Sequence, residues 1–169
     1  MVRTWRELAA TGIMLALAIT VAGAARAQSG GGFELITAAE AQQTAKAEID
    51  APREVRTRQM VAPRPDAPAI RVISPPPSST TVAAPLRIEL AFTSKPGTRI
   101  VPSSFRVLYG LLKIDLTERL RKHATVTEGG VVIDHAIVPE GQHRLLLQVG
   151  DDQGNTAEQE LRIRVGAAS

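Results

Sequence analysis

Cysteine is absent from this chain of 169 residues. That excludes disulfides, thiol catalysis, a cysteine-based zinc site and a lipid-modified cysteine behind a leader. Aromatics are scarce, with one Trp, one Tyr and three Phe. Beyond the leader they reduce to Phe33, Phe92, Phe105 and Tyr109. The last three fall on strand faces read below as inward, so no platform remains for stacking on sugars or bases. Charge of one sign is not in excess, with 20 Lys+Arg against 17 Asp+Glu. No Lys/Arg stripe with interleaved aromatics occurs, and nucleic acid is not an expected partner. There is no G-x-S-x-G, no H-E-x-x-H and no phosphate-cradling glycine loop; Gly30-Gly31-Gly32 follows no strand and reads as a joint. No catalytic residue, enzymatic activity or cofactor is therefore expected.

What is present begins with one long apolar stretch, Leu8–Ala25. Arg3 and Arg6 precede it, and the small-x-small site Ala25-Arg26-Ala27 follows it. Residues 1–27 read as a secretory signal peptide cut before Gln28, which leaves no stable membrane span and a periplasmic or secreted protein. The leader carries a net +2 of the overall +3, so the exported chain is close to neutral. A 44% apolar content excludes a wholly disordered chain, and the length allows one domain with appendages.

Residues 28–50 read as a flexible arm. Thr37-Ala38-Ala39-Glu40 has capping-box spacing ahead of the Ala/Gln/Glu/Lys-rich stretch Ala38–Ile49, a helix too short to stand alone in water. Phe33, Leu35 and Ile36 form an apolar cluster outside the main domain, suited to adding a strand to a partner's edge or lying in its groove. Residues 51–68 read as a linker, with Pro52, Pro63, Pro65 and Pro68 among scattered arginines.

From residue 69 to 166 the texture is period-two alternation with turn punctuation. Leu86, Ile88, Leu90 and Phe92 share one face; so do Phe105, Val107 and Tyr109, then Leu145, Leu147 and Val149, then Leu161, Ile163 and Val165. Shorter strands are expected at 70–73, 113–117, 125–127, 131–133 and 135–137, with a single helical turn at 117–123. Gly150-Asp151-Asp152-Gln153-Gly154-Asn155 reads as a hairpin loop in which Asp151, Gly154 and Asn155 serve the turn. About seven short strands at this spacing predict an all-β antiparallel sandwich, with residues 167–169 as a tail.

The opening Val72-Ile73-Ser74-Pro75, the run Ala84-Pro85-Leu86-Arg87-Ile88, the segment Pro139–Leu145 and the hairpin Val149–Asn155 together resemble bacterial immunoglobulin-like modules of secreted proteins. The resemblance implies an Ig-like sandwich over about 69–166 and a spacer, adhesin, assembly or appendage role. It departs from antibody-type domains in having no cysteine pair and no core Trp. A second likeness, carried by Ser74-Pro75, Ala84-Pro85 and Leu90-Ala91-Phe92, is to periplasmic copper-resistance sandwiches, which bind copper through histidines.

The expected function is thus an interaction or structural module of the bacterial envelope, binding an unknown envelope protein through sheet edges, loops and the arm, in an unknown oligomeric state. Phe33, Leu35, Ile36, Leu108, Leu111 and Leu112 are the candidate partner contacts. The alternative is a small metal-binding sandwich, with copper on His123, His135 and His143 or calcium on Asp151, Asp152 and Asn155. Asp115 and Arg119 are expected to pair locally or to brace a strand end.

Overall fold

The computed structural model describes residues 31–51, 65–76 and 81–166. The leader, most of the linker and the three-residue tail lie outside the described residues. The first element is a two-residue strand β1 (Phe33–Glu34), followed by helix α1 (Ala38–Asp50). Then come β2 (Ala69–Ser74), β3 (Val82–Ala83), β4 (Leu86–Thr93), β5 (Ile100–Tyr109) and β6 (Ile114–Asp115). A single-turn helix α2 (Thr117–Arg121) precedes β7 (Val126–Thr127), β8 (Gly130–Ile137), β9 (Gly141–Asp151) and β10 (Thr156–Gly166).

These strands form two sheets. The first runs β1-β8-β4-β2, with β7 also paired to β8; the second runs β3-β10-β9-β5-β6. All pairings are antiparallel except β1 on β8 and β3 on β10. The alternation read from the sequence sets which faces meet. Leu86, Ile88, Leu90 and Phe92 of β4 are buried against Phe105, Val107 and Tyr109 of β5 and Leu145, Leu147 and Val149 of β9. Each such side chain contributes about 1.5–3 kcal/mol by leaving water, and together they form one continuous interior. The all-β sandwich expected from the sequence is the fold of this protein.

Two strands differ from expectation for local reasons. The stretch 131–137 is one strand and not two, bent by a register shift where His135 adopts φ 56°. β5 begins at Ile100, ahead of Pro102, and its pairing to β9 breaks between Val101 and Arg106. Arg121 spans that irregularity by donating to the carbonyls of Ser103 (2.7 Å) and Phe105 (3.1 Å).

Candidate functional site

The arm is where the structure departs most from the sequence reading. The capping box forms as expected: Glu40 N–H donates to Thr37 Oγ1 (3.2 Å), and Thr37 N–H donates to Glu40 Oε2 (2.9 Å). The apolar cluster, however, is not offered to a partner. Leu35 and Ile36 are fully buried in the sandwich interior, and Phe33 stacks on the imidazole of His123 at 4.1 Å. That corrects the assignment of Phe33, Leu35 and Ile36 as exposed contacts. The physical reason is that the edge of β8 gives the arm backbone partners at Ala136 and Ile137, and the sandwich interior takes Leu35 and Ile36 out of water. β1 pairs parallel to Ala136 and Ile137, and Leu35 N–H donates to Ile137 O at 2.9 Å.

Arg119 fixes the arm from α2. It donates to Leu35 O (2.7 Å) and to both carboxylate oxygens of Glu40 (2.9 Å each). The Arg119 hydrogen bonds, working against burial and helped by Thr37, hold the Glu40 carboxyl down at about 2. Asp115 does not pair with Arg119. It accepts from Thr117 N–H at 2.8 Å and starts α2, and contacts with Thr117 depress its pKa.

Under α1 lies a buried polar group. Tyr109 Oη and His143 Nδ1 are 2.9 Å apart, and His143 Nε2 lies 2.8 Å from Pro139 O. A carbonyl can only accept, so Nε2 carries the proton and Nδ1 accepts from the phenol. Burial pushes the tyrosine up to about 12 and the histidine below its ordinary value. Thr44 is buried over this pair, its hydroxyl lowering the phenol's pKa against the larger effect of burial, and approaches Gly110 so closely that a Cβ there would lie 2.0 Å from Thr44 Cγ2. Gly110 also has φ +62°.

His123, His135 and His143 are not brought together, and among the described residues no three His, Asp or Glu side chains form a metal-holding group. Asp151 is committed to its own loop. Its Oδ1 accepts from the N–H groups of Gln153 (3.0 Å) and Asn155 (2.8 Å), and its Oδ2 from Asn155 Nδ2 (3.1 Å). Burial opposes the charge of Asp151, but these donors outweigh it and lower the pKa. Gly154 holds φ +82° in the same turn.

Of the remaining candidates, Leu108 lies half-buried on the outer face of the second sheet opposite Leu146, whereas Leu111 and Leu112 belong to the β5–β6 turn, where Leu112 is 54% exposed. The sequence reading missed the outer face of the first sheet. There an open groove of about 650 Å³ is lined by Ile73, Ala91, Val132, Glu89, Lys122 and His123. Ile73 and Val132 are 46% and 38% exposed. Beside them Arg87 bridges Glu89 (3.2 Å) and Asp134 (2.6 Å). The alternation places these two apolar residues outward, and that is the signal by which they were findable.

With β2, β4, β8 and β7 on one side and β10, β9 and β5 on the other, the strand order is the ABED/GFC arrangement of an immunoglobulin-like sandwich. Among solved structures the chain is similar to murine CRIg, at 12% identity and a TM-score of 0.36, over 60% of this chain and 98% of that one. No protein-family model and no curated protein matches the chain.

Proposed function

We propose that this chain is an exported, non-enzymatic Ig-like module of a bacterial envelope that binds a protein partner through the outer face of its first sheet. The leader sequence supports export, and the near-neutral remainder supports a protein partner over nucleic acid. The observation that carries the reading is the pair Ile73 and Val132, exposed on a face whose inward residues already fill the core. An apolar centre with the Arg87–Glu89–Asp134 ion group at its rim has the composition of a protein-binding patch. Phe33, Leu35 and Ile36 have no part in this contact, because they are packed within the domain.

Site-specific photo-crosslinking in exporting cells tests the reading. A crosslinker at position 132 is expected to yield a discrete heavier adduct that a crosslinker at exposed Lys95, in the β4–β5 turn, does not give. No adduct at 132, or identical adducts at both positions, would overturn it.

A further inference from the structure

The groove of the first sheet is lined by polar side chains of two kinds. Most are already bonded within the domain. Arg87 holds Glu89 and Asp134, the Arg121 guanidinium serves the carbonyls of Ser103 and Phe105, and Thr127 Oγ1 donates to Gly130 O at 3.0 Å. The side chains of Lys122, His123 and Thr125 make no hydrogen bond or ion pair among the described residues. These three lie within four residues of one another, on the segment that joins α2 to β7. One wall of the groove therefore gathers the polar groups that the fold leaves uncommitted.

His123 is the ordered member of the three. Its backbone N–H donates to Leu120 O at 2.9 Å, and Leu120 is buried in the core, so the main chain at His123 is anchored. No hydrogen bond sets the direction of the imidazole. Phe33 does, because the two rings are stacked at 4.1 Å with 5° between their planes. Phe33 is itself placed by the pairing of β1 with β8, where it stands opposite Ala136, and by Arg119 on the carbonyl of Leu35. Stacking engages the face of the imidazole, whereas its two nitrogens lie on the edge and stay available to an occupant of the groove. A group held in one direction before binding loses less entropy on forming a hydrogen bond than a free lysine or threonine side chain does.

We propose that His123 is a partner-contacting residue of this groove and that Phe33, which does not itself line it, is the positioning residue that orients the imidazole. The inference rests on the groove being the partner site; it adds which side chain reads the partner's polar group and what holds that side chain in place. The partner then offers a hydrogen-bonding group to His123 beside the apolar group that covers Ile73 and Val132. Docking of the arm completes the binding face, since without Phe33 the imidazole turns freely on an exposed segment. The dependence runs both ways, so an occupant that engages His123 also favours the docked arm.

Two measurements test this, one on the purified protein and one in exporting cells. In proton spectra the ring protons of His123 are expected upfield of those of an unstacked histidine, under the ring current of Phe33. Phe33→Leu, which keeps an apolar side chain on β1, returns them to the ordinary position. In cells the adduct from position 132, scaled to the amount of exported chain, is expected to fall about threefold or more with Phe33→Leu, in the range that a stacked aromatic pair is worth. His123→Ala lowers it at least as much, and because His123 is exposed this variant reads the contact even where Phe33→Leu loosens the arm. Phe33→Tyr keeps the stacked ring and restores both the shift and the adduct. In the His123→Ala background Phe33→Leu has no further effect, because Phe33 acts only through that ring. An adduct that His123→Ala leaves at full yield overturns the proposal. So does a further loss from Phe33→Leu in that background, or ring protons that Phe33→Leu does not move. An unsubstituted chain with no adduct at 132 overturns the reading of the groove itself, and this inference with it.

Discussion

Tyr109 is the only tyrosine of the chain, so its ultraviolet titration reports one site beneath α1. The phenol is expected to ionise near 12 in the folded protein, against 10.0 for an unburied tyrosine. Folding favours the neutral phenol, so stability is undisturbed below pH 10 and declines as pH rises from 10 toward 12. A titration midpoint near 10 would mean that the ring is not buried. His143 acts at the opposite end of the scale. Its pKa is lowered by burial from 6.5, so the unfolded chain takes up its proton first and stability falls as pH drops below 6.5. Glu40 adds a third, more acidic step: its contribution is complete above pH 4.5 and is lost as pH falls toward 2.

At the scale of elements, the arm is a strand and a helix held by Arg119, Gly110 and the edge of β8. Arg119→Ala removes the bidentate contact with Glu40 and should cost about 1.5–3 kcal/mol in chemical denaturation. Hydrogen exchange should then accelerate first in α1 and not in β9. Gly110→Ala is more disruptive, because the new methyl would collide with Thr44 at 2.0 Å and the backbone there has φ +62°. Loss of α1 signal in far-ultraviolet circular dichroism, with the sheet signal retained, is the expected result. Much of the helix was legible beforehand: Thr37 and Glu40 announce its start, and its composition carries it through. The docking was not legible. Phe33, Leu35 and Ile36 look the same whether they bind a partner or their own domain, since the deciding contacts come from Ile137, His123 and Arg119, far along the chain. Arg119 illustrates the limit, because the sequence offered it Asp115 four residues away while the fold supplied Glu40 at a separation of 79. The two-residue strands β1 and β3 were missed for a related reason, as a pair of residues carries no periodicity.

For the molecule as a whole, the alternation of β4, β5, β9 and β10 was enough to place nearly every inward side chain, because period-two burial is a local property that the sheet merely reads out. The outer faces were less legible, since a polar or apolar residue outside is not constrained by packing. Replacing Leu35, wholly buried though it comes from the arm, tests whether arm and sandwich share one interior. Leu35→Ala is expected to cost about 2–5 kcal/mol in a single cooperative transition. Two separate transitions would show that the arm is a satellite. A shared interior has a temporal corollary. Synthesis begins at the amino terminus, yet the arm's seat is built from Arg119, Ala136 and Ile137. The arm, made before its seat, must wait, unsheltered, until residues 119–137 have arrived to receive it.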